Sequence, residues 1–461
     1  MDVNSIVGCV TFNISLLNKL ILKNKLSRCD RMNTSDKIYH KKIGIEDLLH
    51  LLKQNMLVYL EQGAAEPRYI IQELINNADK IPSINVLVTP VPHINKMQFS
   101  YDENCDHWNI YSLFGTPETK HQIRSGRVKY VPVSTSEIPN ILRKTLIPDI
   151  AIIQVSPPDS RGFCNLGVSV DTLPIVIKNA KMVVAQFNPR MARVCGQSEI
   201  HVSEIDYFIE EYSPIIEFSP PDPREKDDII AEQVAKLIPD GATIQIGIGR
   251  IPNAILGKLK DKNDLGLHSG LISEKMIELL KSGVITGKYK KINQYKMVGT
   301  AMLGTEELYH FSHQNSAIEL HPVTHTHNIW LARDLDHFIS INSAMEVDLT
   351  GQVNAESLDG DQISAVGGQL DFTRMARLSK EGKAILALPS TSKGKSNIVP
   401  QLSASVPISI PRSEVDIVVT EYGSVQLRHE SILERAKKLI SIAHPDYRTQ
   451  LEDWLHEYIV T

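Results

Sequence analysis

A chain of 461 residues with 42% hydrophobic residues can bury more than one hydrophobic core, and its length predicts two or three domains. Its net charge of −5 and its lack of a basic block argue against nucleic-acid binding, and no apolar run is long enough for a membrane span. Five scattered cysteines without a CxxC pair predict reduced thiols, a cytoplasmic location and no metal centre. The sequence does not decide whether the protein forms a homo-oligomer.

The first 44 residues differ from the rest of the chain. They combine a surplus of Lys and Arg with an apolar patch at 14–22. We expect a poorly packed N-terminal extension over 1–44. A targeting or membrane-surface segment stays an alternative, although acidic residues interrupt the basic ones and no small-residue cleavage site follows the patch.

Two stretches of the chain share the pattern strand, small residues, proline, helix. The first runs from Met56 through the sequence GAAEP at 63–67, and the second is TIQIGIGRIP at 243–252. Glycines allow a ligand to approach the backbone closely, and the free N–H groups of a helix N-terminus favour an anionic or carbonyl-bearing ligand. An ordinary tight βα turn has the same pattern. Pro252 stands where a dinucleotide-binding fingerprint needs glycine, so no nicotinamide is expected.

Further matches indicate an internal repeat. The pattern Asp-x-x-Gly-x-x-Asn occurs at 159–165 and at 348–354, and the apolar runs at 181–185 and 383–387 follow in the same order. Three prolines within 220–223 mark a boundary, which predicts domains at 45–220 and 221–461. Non-alternating apolar strands at 150–155 and 415–420 predict α/β domains with mainly parallel sheets and a ligand cleft between them.

Other patterns are less specific. Adjacent glycines at Gly367 and Gly368 suit a phosphate or an amide ligand, but they are equally typical of a structural turn. The sequence around His268 has histidine where a serine hydrolase needs serine. Three histidines, His321, His325 and His327, lack the neighbours of a zinc site, so uncharged loop histidines are the expectation.

Taken together, the motifs resemble the acetyl-CoA hydrolase/transferase family, in particular its 4-hydroxybutyrate CoA-transferase-like branch. The resemblance covers the chain from about residue 45 and rests on many ordered motifs. Among them are GAAEP at 63–67, QVSPPDSRGFCNLGVSVD at 154–171, QIGIGRIPNA at 245–254, INSAMEVDLTGQVNAES at 341–357, VGGQLDF at 366–372 and VVTEYG at 418–423.

The resemblance implies two similar CoA-transferase-like α/β domains with coenzyme A between them, and transfer of CoA through a glutamate nucleophile that forms an anhydride and then a thioester. Backbone N–H groups would stabilise the oxyanion. It implies CoA contacts from the loop residues Gln245, Gly247, Ile248, Gly249, Arg250 and Ile251, and from Asn342, Gly367, Gly368 and Lys393.

The chain departs from the family pattern at the nucleophile. The family's run resembles LGIHTEM, whereas residues 265–271 read LGLHSGL, so Gly270 occupies the position of the glutamate. A different carboxylate is one explanation, with Glu66 as the first candidate because a helix dipole would keep it ionised. The others are Glu274, Glu346 and Glu421, of which Glu346 and Glu421 also fit structural roles.

The predicted function is transfer of CoA between a short-chain acyl-CoA, such as 4-hydroxybutyryl-, butyryl- or acetyl-CoA, and a small carboxylic acid. The resemblance implies CoA or acyl-CoA as substrate, without metal or nicotinamide. Because of Gly270, two alternatives stay open: hydrolysis of acyl-CoA by water with a carboxylate as general base, and binding of acyl-CoA without turnover.

Overall fold

The computed structural model describes residues 38–460, which form two β-sheets covered by helices. The first sheet has seven strands in the order β7-β6-β5-β1-β2-β3-β4, and every neighbouring pair is parallel. The strands are β1 Leu57–Leu60, β2 Asn85–Val88, β3 Asn109–Ser112, β4 Val128–Tyr130, β5 Ile150–Val155, β6 Met182–Phe187 and β7 Tyr207–Glu210.

The second sheet repeats this plan with an addition at each edge. Its core order is β14-β13-β12-β8-β9-β10-β11, again all parallel. An antiparallel strand, β15, flanks β14, and the two-residue strand Cys195–Gly196 flanks β11. The strands are β8 Thr243–Ile246, β9 Gly266–His268, β10 Met297–Gly299, β11 Ile318–Leu320, β12 Phe338–Ser343, β13 Lys383–Ala387, β14 Ile417–Thr420 and β15 Gly423–Gln426.

The two strand orders are the same when β1 to β7 are matched with β8 to β14. The matches found in the sequence fall at equivalent places: the proline turns follow β1 and β8, and the similar apolar runs are β6 and β13. The predicted α/β class with two similar, mainly parallel domains is confirmed. The boundary near residue 220 remains a proposal, and the strand Cys195–Gly196 pairs across it.

Helices connect the strands and cover the sheets. Their bounds are α1 Ile45–Leu51, α2 Arg68–Asn76, α3 Lys120–Arg124, α4 Ile138–Lys144, α5 Leu173–Asn179, α6 Glu225–Leu237, α7 Arg250–Gly257, α8 Glu274–Lys281, α9 Glu306–Ser312, α10 Val323–Thr326, α11 Gln369–Leu378, α12 Ile432–Ser441 and α13 Pro445–Val460. Pro252, in the proline turn that follows β8, is the third residue of α7. Proline is tolerated there because the N–H groups of the first turn have no intrahelical partner.

Small β-elements connect the layers outside the two sheets. The paired segments are Phe163–Asn165 with Glu199–His201, Leu271–Ile272 with Ala301–Met302, Glu346–Asp348 with Val353–Asn354 and Ile398–Val399, Ser357–Leu358 with Asp361–Gln362, and Thr391–Ser392 with Lys395–Ser396.

One hydrophobic cluster joins both halves. It contains Tyr59 and Ile153 from the first sheet together with Ile244 and Ile339 from the second. Every residue of β5 is buried, as expected for a parallel strand covered on both faces. The halves therefore share a core, which limits their freedom to separate.

Residues 1–37 of the predicted N-terminal extension lie outside the described residues. The remaining part of the extension contacts the edge of the first sheet, where the N–H of Ile43 donates to the carbonyl of Phe208 at 3.0 Å. Within 38–460, no helix is both long enough and apolar enough to cross a membrane.

We predict that Gly382→Ala destabilises the fold. A Cβ there would lie 2.0 Å from the carbonyl oxygen of Ala376 and 2.9 Å from that of Phe338, so the turn between α11 and β13 must move. The expected loss in free energy of unfolding, measured by urea denaturation, is about 1–3 kcal/mol or more. Gly257→Ala is the matched control: its Cβ meets open space in a helix, so unchanged or slightly higher stability is expected. Equal stability of both variants would contradict the steric argument.

Candidate functional site

A cavity of about 780 Å³ lies between the two sheets. Its walls come from segments that directly follow strands: residues 62–64 after β1, 89–93 after β2, 247–250 after β8, 269–271 after β9 and 300–303 after β10. The carboxyl edges of both parallel sheets therefore face the same space, which is where α/β proteins bind ligands. A cavity of this size lies in the ordinary range of ligand sites, about 300–1,000 Å³.

The glycine loop after β8 presents free backbone groups to the cavity. Gly247, Ile248 and Gly249 line it, and in the described part of the chain nothing accepts a hydrogen bond from their N–H groups. Gly249 has φ 122°, which only glycine adopts without strain, and it precedes α7. The loop therefore offers donors and a helix N-terminus to an anionic or carbonyl oxygen.

Gly270 follows β9, the strand next to β8, and also lines the cavity. A Cβ at Gly270 would lie 3.5 Å from the His327 ring and 3.7 Å from Phe372, which are ordinary contact distances. By contrast, a Cβ at Gly368 would lie only 2.5 Å from Nε2 of His327. A side chain fits at position 270, whereas position 368 requires glycine because of the close approach of His327.

The backbone of Thr300 joins the two halves beside Gly270. Its N–H donates to the carbonyl of Gly270 at 3.0 Å, and its own carbonyl accepts from the N–H groups of Val170 at 3.0 Å and Asp171 at 3.2 Å. The N–H of Met302 extends this contact by donating to the carbonyl of Val168 at 2.8 Å. Asp171, from the first half, is thus held next to the glycine position of the second half.

Most of the predicted CoA-binding residues surround the cavity. Gln245 and Asn342 pair through their side-chain amides, at 3.1 and 3.2 Å, where β8 and β12 end. The cavity is lined by Gln245, Gly247, Ile248, Gly249, Arg250, Asn342, Gly367 and Gly368. Ile251 instead packs into the shared core, and Lys393 lies exposed in the hairpin of Thr391–Ser392 with Lys395–Ser396. Whether these residues bind CoA stays a prediction.

The carboxylates considered for catalysis lie elsewhere. The structure brings neither Glu66 nor Glu346 to the cavity lining: Glu66 accepts a hydrogen bond from Asn95, and Glu346 accepts one from Asn354 at 2.9 Å. Glu421 accepts from the N–H and hydroxyl of Ser390 at 2.7 and 2.8 Å. Each of these groups already has a structural partner.

Two more observations concern those glutamates. Glu274 accepts from the N–H of Thr305 at 3.0 Å, at the start of α9. It lines a small pocket of about 140 Å³ that adjoins the cavity, because the loop residues 247–249 line both. Burial raises the pKa of Glu66 to about 7. The helix dipole was expected to keep Glu66 ionised, but desolvation outweighs it.

Asp171 is the acidic residue that does line the cavity, and among the described lining residues it has no acidic companion. Its carboxylate accepts no hydrogen bond within 38–460, and burial raises its pKa to about 6. The residue has φ 36°, an uncommon conformation for a non-glycine residue. In the sequence, Asp171 stands out only as the last residue of the motif at 154–171. Its desolvation and its contact with the second half have no signature in the neighbouring residues.

The sequence predicted only an uncharged loop histidine at His327 and gave it no place in the site. It lines the cavity, and burial lowers its pKa to about 3, while the pKa of His325 falls to about 4. Both side chains are therefore neutral at neutral pH, as expected, but His325 lies in the short helix α10 rather than in a loop. The described residues contain no group of three or more His, Cys, Asp or Glu side chains arranged to hold a metal ion.

Comparison with known proteins gives a consistent result. Residues 26–220 match the acetyl-CoA hydrolase/transferase N-terminal domain, and residues 304–455 match the C-terminal domain of the same family. The 4-hydroxybutyrate coenzyme A transferase of Clostridium kluyveri is 40% identical over 420 residues, which are 90% of this chain and 97% of the relative.

Solved structures agree. RipA from Yersinia pestis is 31% identical, with a TM-score of 0.86 and coverage of 93% of this chain and 100% of that one. A 4-hydroxybutyrate CoA-transferase from Porphyromonas gingivalis is 32% identical, with a TM-score of 0.75 and coverage of 92% and 99%. The resemblance predicted from the motifs is thereby confirmed, and the chain belongs to the acetyl-CoA hydrolase/transferase family.

Proposed function

We propose that this protein moves coenzyme A between a short-chain acyl-CoA and a small carboxylic acid in the cavity between its two sheets. The observation that supports this most is the cavity itself, which is lined both by the unused backbone N–H groups at 247–249 and by position 270. Relatives named as CoA transferases support the substrate class.

The chemistry of the walls suits such a substrate. Arg250 is the lining residue with a permanent positive charge among those described, and it suits the phosphates of coenzyme A. Apolar side chains, including Leu113, Phe114 and Phe372, line the cavity and suit a short aliphatic acyl chain. Free N–H groups of the glycine loop are placed to stabilise the oxyanion formed when a thioester carbonyl is attacked.

Exchange of a thioester between two carboxylic acids transfers neither a hydride nor an electron. The proposal therefore includes only an acyl-CoA and a carboxylic acid as small-molecule partners. The cytoplasmic location predicted from the cysteines also stays a proposal: of the five, the described Cys105, Cys164 and Cys195 are unpaired.

Hydrolysis is the second candidate function, and Gly270 is the observation that favours it. Glycine cannot form the acyl anhydride or the thioester of the family's usual mechanism, and no glutamate is among the described residues lining the cavity. Water could then attack the thioester carbonyl with a carboxylate as general base.

The first prediction for this site is that the protein incubated with butyryl-CoA and acetate forms acetyl-CoA, measured by liquid chromatography. Transfer is expected because both acyl groups are small enough for the apolar part of the cavity. Heat-denatured protein is the control. Free CoA without acetyl-CoA would favour hydrolysis instead, and tight binding of butyryl-CoA without any product would favour a binding protein.

The second prediction is that Gly270→Glu raises the rate of CoA transfer, because position 270 has room for a side chain and faces the cavity. We expect kcat/KM to rise about tenfold or more, equivalent to about 1.4 kcal/mol of transition-state stabilisation. Gly270→Gln is the matched control, since it has the same size without a nucleophilic oxygen anion. An equal effect of both substitutions would argue against a nucleophile at this position.

A further inference from the structure

We propose that Asp171 is the nucleophilic carboxylate of this cavity and forms the covalent intermediate that Gly270 cannot form. This inference rests on the proposed CoA transfer and assigns its missing catalytic residue. Asp171 belongs to the first half of the chain, whereas the family's position lies in the second half.

Position is the first argument. Asp171 and Gly270 both line the cavity, and both are hydrogen-bonded to the backbone of Thr300. The N–H of Asp171 donates to the carbonyl of Thr300, and the N–H of Thr300 donates to the carbonyl of Gly270. A carboxylate at 171 and a side chain at 270 would therefore belong to the same cavity, on either side of the Thr300 backbone. The short Asp side chain on one wall can approach the same thioester as a longer side chain on the other.

Availability is the second argument. Glu66, Glu274, Glu346 and Glu421 each accept hydrogen bonds from neighbouring protein groups, so their oxygens already have partners. Asp171 has no such bond from any described residue. A carboxylate that no protein donor hydrogen-bonds is poorly stabilised in its charged form, and a poorly solvated carboxylate is a stronger nucleophile than a hydrated one.

Backbone strain is the third argument. Asp171 has φ 36°, and this conformation is held by hydrogen bonds on both sides: its N–H donates to Thr300, and its carbonyl accepts from the N–H of Val323 at 3.0 Å. Strained residues that are held by their surroundings are concentrated at functional sites. The conformation fixes the starting direction of the side chain at the cavity wall.

The steps balance without an added oxidant or proton source. An oxygen of Asp171 attacks the thioester carbon and the C–S bond breaks. CoA leaves as a thiolate, and the acyl group stays on Asp171 as a mixed anhydride. The thiolate then attacks Cγ of Asp171, forming an aspartyl thioester and releasing the acyl group as a carboxylate. The acceptor carboxylate repeats both steps in reverse, which regenerates Asp171 and yields the new acyl-CoA.

We expect that trapping the intermediate labels Asp171. The protein is incubated with butyryl-CoA alone and treated with hydroxylamine, which converts an aspartyl thioester to a hydroxamate by releasing CoA, and peptides are then analysed by mass spectrometry. The hydroxamate should appear on Asp171 and be absent when free CoA replaces butyryl-CoA. A hydroxamate on Glu66 or another carboxylate, or none at all, would overturn the proposal.

Variants test the same point by activity. Asp171→Asn should lower the transfer rate roughly 1,000-fold or more while CoA binding, measured by calorimetry, stays within about twofold. Asp106→Asn, which changes an exposed aspartate outside the cavity lining, is the matched control and should keep full activity. Unchanged transfer by Asp171→Asn would overturn the proposal. If that variant fails to fold, the trapping experiment on the unaltered chain still decides.

The two proposals fail in different ways. Acetyl-CoA formed without a hydroxamate on Asp171 would overturn the assignment of Asp171 and leave CoA transfer standing. A hydroxamate on Asp171 without acetyl-CoA formation would support Asp171 as the nucleophile and overturn transfer to acetate.

The pH dependence should follow the ionised form of Asp171. Burial raises its pKa to about 6, so the rate of adduct formation should be constant above that pH and fall about tenfold per pH unit below it. The titratable groups that interact with it electrostatically are Tyr59 and Glu61, and burial raises the pKa of both, which favours their neutral forms. His327 lines the same cavity, and because burial lowers its pKa to about 3 it is neutral near pH 7. A rate that stays constant down to pH 4 would contradict this role.

Discussion

The backbone of Thr300 is the contact on which the geometry of the cavity depends. Its N–H binds Gly270 of its own sheet, and its carbonyl accepts from Val170 and Asp171 of the other half. Because the bonds from Val170 and Asp171 join halves that also share one hydrophobic core, the two walls cannot shift independently. Groups that are far apart in the chain are thereby held in a fixed relation around one ligand space.

The same arrangement explains the electrostatics of the site. The other carboxylates considered for catalysis accept hydrogen bonds from neighbouring donors, as Glu421 does from Ser390. Asp171 has no donor among the described residues and desolvation raises its pKa, so its charged form is poorly stabilised by the protein. A ligand that brings a positive charge or an electrophilic carbon into the cavity would therefore lie close to the reactive carboxylate of Asp171. His327, which also lines the cavity, is neutral and adds no competing charge.

Space is distributed unevenly around the two glycine positions of the second half. His327 approaches Gly368 so closely that a Cβ there would clash, whereas Gly270 has room for one. The absence of a side chain at 270 is therefore not imposed by packing. It leaves room on one wall of the cavity, which makes an acyl group or a side chain from the other wall a suitable occupant.

The sequence alone determined the family, the α/β class and the repeat, because apolar strand runs, glycine turns and ordered motifs are local patterns. Most of the CoA-binding residues that it predicted, such as Gln245 and Asn342, line the cavity, since they lie at the carboxyl ends of neighbouring parallel strands. Only the tertiary structure decided which carboxylate reaches that cavity. Burial, missing donors and contact with the opposite half depend on residues more than a hundred positions apart, so Asp171, and not Glu66, was found only when the two halves came together.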